Sequence, residues 1–282
     1  DSWFVTVRDL EKRPSTEFRY DAVPGTTRVL KDYVYLGNQL VGASRCLRFV
    51  EEHGWMKGTQ SEKLIREHIL PSMPGFQAKG KLLFASPVTY VLRGYCFEDS
   101  GFDPSAFTVS VFVQPLYVPF PALVLSLGDR LGHIAGGPDK WWYFMEGNES
   151  VVMAEVRARI LDEGEKHFRV ADDPGALIWW LKARKNEETH YSLKALAYSY
   201  ILIGRADEGL RVMDKVEKIL AADGRDWCLK EIALLNEVRA ALRSGLQAAR
   251  QLLDRWADQT ARAIHISRSA APQAPIDHLT DS

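Results

Sequence analysis

Asp129, Arg130 and His133 stand close together in the chain, and Arg93, Glu98 and Asp99 precede them in the same β-rich stretch. A carboxylate pair, a guanidinium and an imidazole gathered at one sheet rim could carry out acid–base chemistry near neutral pH. The same residue types also make ion pairs and turn caps at strand ends. The companions that would favour chemistry are missing. The seven histidines include no pair at the i, i+4 spacing that sets two imidazoles on one helix face for zinc. There is no GxSxG elbow, and the string Gly128-Asp129-Arg130-Leu131-Gly132 lacks the Lys-Ser/Thr that a phosphate cradle needs. No catalytic residue, metal or cofactor is expected, and the chain reads as a non-enzyme.

A second class of candidates is aromatic. Trp141, Trp142 and Tyr143 run into Phe144, and Trp179-Trp180 follows later. Rings beside an Arg can stack unpaired bases, but a net charge of −1 from 36 basic and 37 acidic residues gives no global pull on nucleic acid or an anionic membrane. Core or domain-interface packing is the expected use of these rings. Any that stay exposed would suit a protein-binding hot spot. The candidate binding residues are therefore Trp141, Trp142, Tyr143, Arg93, Asp129, Arg130 and His133, with another protein as the partner and neither nucleic acid nor membrane.

These residues need elements to hold them. A chain of 282 residues, 46% hydrophobic and 26% charged, has ample material for one large or two modest domains. Residues 1–45 read as β-ribbon, with apolar runs at Trp3–Val7, Glu17–Tyr20, Tyr33–Leu36 and Leu40–Val41, and turns at Pro24-Gly25 and Gly37-Asn38. Thr59 or Ser61 is placed to cap a helix carrying Leu64, Ile65, Ile69 and Leu70, which Pro71 and Pro74 stop. Strands are expected over residues 80–84, 88–97, 107–115 and 121–127, as an antiparallel meander covered by that helix. Residues 128–147 read as a glycine-rich loop.

From residue 149 the pattern turns helical, with helices expected over 149–163, 173–183, 189–203, 206–221, 226–243 and 245–264. Glycines 204, 224 and 245 punctuate them at intervals of about 20 residues, as short helical hairpins of the tetratricopeptide kind require. On the first hairpin, Leu193, Leu196, Ala197, Tyr200 and Ile201 form one stripe, Leu210, Met213, Val216, Ile219 and Leu220 the facing one, and Lys194 falls on the outer side. Ile232, Leu235, Val238 and Leu242 then dock a third helix. The tail from Ser267 has a disordered composition. The fold class is thus α+β: an antiparallel sheet with a flanking helix, followed by a tetratricopeptide-like hairpin array. The expected divisions are 1–45, 46–147, 148–266 and 267–282.

Cys46, Cys96 and Cys228 are far apart and form no CxxC pair, which fits a reducing, cytoplasmic compartment. No apolar run approaches a membrane span, and residues 1–14 turn polar too early for a signal peptide. The first residue, Asp1, is not one before which an initiator Met is normally trimmed, so a piece of a longer reading frame is expected.

Two resemblances bear on function. The strings RDLEKRPSTEFRYD and KDYVYLGNQLVG, within residues 1–45, resemble the YD-repeat segments of RHS proteins, bacterial β-ribbon shells that enclose secreted toxins. An RHS shell needs many stacked repeats, and the Asp-Pro-rich cleavage signature of such shells is absent, so the resemblance implies a neighbourhood and not a shell. ILPSMPGFQAK, then Leu92-Arg93-Gly94-Tyr95 and VFVQPLYVPF, within residues 60–180, resemble an uncharacterised bacterial family suspected of toxin-immunity association. Together they imply an immunity-like, protein-binding partner in an RHS polymorphic toxin system. The alternatives are that residues 46–282 are themselves an RHS-borne toxin with Asp129, Arg130 and His133 as its site, or that residues 173–264 are a helical-repeat scaffold.

Overall fold

The computed structural model describes residues 58–100, 103–134, 136–168, 172–184 and 188–269, together with four short strands nearer the start. Those strands make two small antiparallel ribbons. In the first, β1 (Phe4–Arg8) pairs with β2 (Pro14–Arg19); in the second, β3 (Tyr35–Leu36) pairs with β4 (Gln39–Leu40), Tyr35 opposite Leu40. The turns expected at Pro24-Gly25 and Gly37-Asn38 lie outside the described residues, as does Cys46.

The main sheet contains β5 (Phe76–Lys79), β6 (Leu82–Ala85), β7 (Val91–Asp99), β8 (Ala106–Pro115), β9 (Gly128–Arg130) and β10 (Trp142–Tyr143). Its order is β10-β8-β7-β6-β5, and β9 shares with β10 the task of pairing to β8, both antiparallel. All residues of β8 are buried. A strand covered on both faces loses the polar alternation of a half-exposed one and reads as a continuous apolar run, as AFTVSVFVQP does. The strand expected over residues 121–127 is irregular chain, and pairing resumes at β9, where Gly128 lies so close to β8 that a Cβ there would sit 2.0 Å from the Val111 carbonyl oxygen.

The chain divides into two compact units, and the division falls inside β6, β7 and β8. The first takes in residues up to Leu83, Gly94–Phe112 and Val124–His167. Its helix α1 (Gly58–His68) buries Ser61 and Ile65, with Ile69 just beyond, one i, i+4 stripe. Glu62 Oε2 accepts from Gly80 N at 2.7 Å, which ties α1 to the turn after β5. Helix α2 (Glu149–Arg159) packs on α1 through its buried face of Val152, Met153 and Val156. A π-turn (Ile160–Gly164) leads into the short α3 (Glu165–Phe168).

The second unit takes in Phe84–Arg93, Val113–Leu123 and the chain from Phe168. The expected divisions follow the chain in sequence, whereas these units are each made of several separate segments. α2 buries its apolar face in the first unit, whereas the Tyr117 hydroxyl, just after β8, meets Ser199 Oγ at 2.5 Å inside the second.

Helices α4 (Pro174–Ala183), α5 (His190–Leu202), α6 (Ala206–Asp223), α7 (Asp226–Arg243) and α8 (Leu246–Ala263) make up most of this unit. Asp173 caps α4 by accepting from Gly175 N at 2.6 Å and Ala176 N at 3.0 Å, with Pro174 in the first turn where its missing N–H is harmless. A Thr189–Ser192 capping box opens α5. Gly204, at φ 90°, closes it, and the α8 side chain Arg250 donates to the terminal carbonyl of Leu202 at 3.1 Å.

The helix α5 packs on α4, α6 and α8, while α6 meets α7 and α7 meets α8. Surrounded in this way, α5 has no outer face. Lys194, expected on the outside, is only 2% exposed and ion-pairs with Glu231 of α7. Leu196 of the expected stripe is only half-buried, and Ile219 on α6 is exposed. Beyond α8, Ile266 is buried and Arg268 is held by several partners, so the packed chain runs past the Ser267 start expected for the tail. No helix among the described residues is long and apolar enough to cross a membrane.

Candidate functional site

Of the residues singled out by type, the structure brings Asp129, Arg130, His133 and Trp141 to one loop of the first unit. The register Ser110↔Arg130 and Val111↔Asp129 fixes the ends of β9 against β8. The chain then folds back on itself: Leu131 N donates to Val109 O at 2.9 Å, and Lys140 N donates to Leu131 O at 3.0 Å. Gly132, at φ 91°, sits where a Cβ would lie 2.7 Å from the Pro138 carbonyl oxygen, so the crossover admits only glycine.

Polar side chains close this loop. Arg130 Nη1 donates to Asp139 Oδ2 at 2.8 Å, and its guanidinium lies 5.6 Å from the centroid of the Trp141 ring. His133 Nδ1 is 3.8 Å from Asp139 Oδ1, and His167 Nδ1 is 3.8 Å from Asp129 Oδ2, both beyond hydrogen-bond reach. Glu163 is buried; it accepts from Gly132 N at 2.7 Å and from Arg159. The π-turn makes this possible, and Gly164 lets it pack tightly, since a Cβ there would lie 2.4 Å from the Tyr95 ring.

The other members of the expected constellation are engaged elsewhere. Ser110 Oγ donates to Glu98, Lys81 pairs with Asp99, and Arg93 belongs to the second unit. Asp139, Glu163 and His167 complete the cluster and were not candidates by sequence. Glu163 in particular reaches the loop only because the helix ladder widens at Ile160, which its local sequence does not announce. Among the described residues no group of three or more His, Cys, Asp or Glu could hold a metal ion. As built, Arg130 and Glu163 lock the loop shut with ion pairs and a buried carboxylate.

The aromatic run behaves differently. Along residues 142–144 the side chains alternate in, out, in, as extended chain requires. Trp142 and Phe144 enter the core, with ring centroids 5.8 Å and 4.8 Å from Phe107. Phe107 is in turn 6.2 Å from Phe97. Trp142, a binding candidate by sequence, is thus a core residue. Its neighbour Tyr143 is left 50% exposed, followed by Met145 at 65% and Val151 at 73%.

The Asn148 side chain braces this turn. Asn148 Oδ1 accepts from Met145 N at 2.8 Å, and its Nδ2 donates to Tyr143 O at 3.2 Å. The Asn148 backbone N–H also donates to Met145 O at 3.1 Å, and Asn148 O accepts the first α2 amides from Val151 and Val152. Tyr143 and Met145 are therefore held in water on a braced turn, and Val151 is exposed in the first turn of the helix that follows, where a desolvating partner would gain contact area with little loss of backbone entropy. Trp179, 77% exposed on α4, is a comparable feature of the second unit. Comparison with protein families, with curated proteins and with solved structures finds no match for the chain.

Proposed function

We propose that the chain works by binding another protein, with the turn bearing Tyr143 and Met145 and the adjoining Val151 of α2 as its anchor, and that it does so as an immunity-like partner of a toxin from an RHS system. The observation that carries the binding reading is the exposure of Tyr143 and Met145 on a turn held rigid by Asn148, with Val151 exposed at the start of α2. The ion pairs that occupy Arg130, Asp139 and Glu163 speak for a loop lock and against a reactive site. The near-neutral balance of charge supports a protein partner over nucleic acid. The toxin connection rests on the YD-like strings of residues 1–45.

A second reading, the helical scaffold, draws support from Trp179. In support of it, α5 packs on α6, α6 on α7 and α7 on α8, and α8 also packs on α5. The test is co-expression with the toxin-like product of a neighbouring reading frame. Growth arrest by that product should be relieved by this chain and not by a Tyr143→Ser, Met145→Ser variant with an unchanged circular dichroism spectrum. Growth arrest by this chain alone would overturn the reading in favour of a toxin. Loss of relief on Trp179→Ala instead would move the anchor to the scaffold.

A further inference from the structure

The chain leaves α8 and immediately places an arginine in a complete guanidinium receptor. Arg268 is 6% exposed as a side chain. Its Nε donates to the Thr89 carbonyl oxygen at 2.5 Å, its Nη1 to Asp258 Oδ1 at 2.6 Å, and its Nη2 to Asp254. The two carboxylates stand one turn apart on α8 and straddle the fork. The guanidinium carbon lies 4.8 Å from the centroid of the Tyr90 ring, in stacking position. One residue on, Ser269 N donates to the Val88 carbonyl oxygen at 2.7 Å, so the backbone is read as well as the side chain.

Each edge of the guanidinium is matched, two of them by charge, and one face is covered by a ring. This is how a protein recognises arginine in preference to lysine. A helix ending in water needs no such device: Ile264 and His265 already close α8, and among the described residues beyond them Ile266 is the one buried apolar side chain. All of these groups lie within the second unit.

We propose that Asp254, Asp258, Tyr90 and the carbonyls of Val88 and Thr89 form an arginine-recognition site for an extended Arg-Ser segment, filled in cis by Arg268-Ser269 and open to an arginine of another chain when this strap lifts. The site is independent of the Tyr143 turn and of the function proposed for it. Its ligand class is an arginyl peptide in extended conformation. The carboxylates are each about half exposed, so an incoming guanidinium can begin to pair with them before the resident one has left.

Two measurements test this. In full-length protein, trypsin cleavage after Arg268 is followed by mass spectrometry, with cleavage after Lys218 on the exposed side of α6 as the gauge of global opening. Asp254→Asn with Asp258→Asn should raise cleavage after Arg268 about tenfold or more while leaving cleavage after Lys218 unchanged, because proteolysis follows the population of the locally open form. No change, or a parallel rise at both bonds, would overturn the proposal. In the second measurement, a fluorescent peptide of residues 264–269 is added to the full-length Arg268→Ala variant. Saturable binding is expected, at least about tenfold weaker for a peptide with Lys in place of the arginine. Absence of binding to the folded variant, or equal binding of the two peptides, would overturn it; if the variant does not fold, the cleavage result decides.

Discussion

Replacing Lys194 by Met separates two readings of the helical unit. On an outer face the substitution would change stability by about 0.5 kcal/mol or less. In the structure Lys194 is 2% exposed, its ammonium pairs with Glu231, and it lies 6.0 Å from the centroid of the Tyr191 ring. Met keeps most of the stem's packing, so the loss concentrates on the carboxylate left behind. Breaking a fully buried pair costs about 3 to 5 kcal/mol. Glu231 retains 21% side-chain exposure, so water relieves part of that, and a loss of about 2 to 3 kcal/mol is expected. With a urea slope of about 2 kcal/mol per molar, the midpoint followed by circular dichroism at 222 nm should fall by roughly 1 to 1.5 M. Adding Glu231→Gln should recover most of it, to within about 1 kcal/mol of the starting protein, because the orphaned charge is then gone. A drop no larger than that of Lys182→Ala, an exposed position on α4, would refute the burial argument. Strict additivity in the double variant would refute the pairing.

His190 yields a pH prediction: burial first, and then repulsion from Lys194, lower its pKa to about 4. The fold therefore favours the neutral ring, so its contribution is complete above the unfolded value near 6.5 and is lost as pH falls from there towards 4, by at most about 3 kcal/mol. His190→Gln should flatten urea midpoints measured between pH 7 and 4.5, and an unchanged slope would count against this. Gly209→Ala would put a Cβ 2.7 Å from Ile201 Cγ1 and 2.9 Å from the Ala197 carbonyl oxygen, and should cost about 1 to 3 kcal/mol in thermal or urea unfolding. Gly224→Ala meets open space but at φ 70°, and should cost only about 1 kcal/mol. Leu193→Ala, at a buried position, should cost about 2 to 5 kcal/mol, and half-buried Leu196→Ala clearly less.

The helices were legible because apolar period and glycine punctuation coincide: Gly204, Gly224 and Gly245 all adopt positive φ at the expected breaks. The long strands β7 and β8 were legible as runs of Val, Phe and Tyr. Faces were harder. A stripe argument presumes that each helix has an outside, and α5 has none, so Lys194 was assigned to water when its charge is met by Glu231 from a helix distant in sequence. The candidate loop was legible only in its contiguous part. Asp129, Arg130 and His133 are neighbours in sequence, whereas Asp139 joins them through a chain reversal at Gly132 and Glu163 through a widened helical turn. The fate of Trp142 turned on strand parity, which is visible only once β10 is known to pair with β8.

The burial of β8 along its whole length has a consequence for how the chain is made. Ala106–Pro115 emerges from the ribosome with β7 already available on one side, but the partners of its other edge, Gly128–Arg130 and Trp142–Tyr143, come later. At about 5 to 20 residues per second, that edge stays open for a second or more. A β-branched, uncharged segment with a free edge is the kind that pairs with copies of itself on neighbouring nascent chains. Yield should therefore depend on translation speed and chaperone supply more steeply than the stability of the finished fold would suggest.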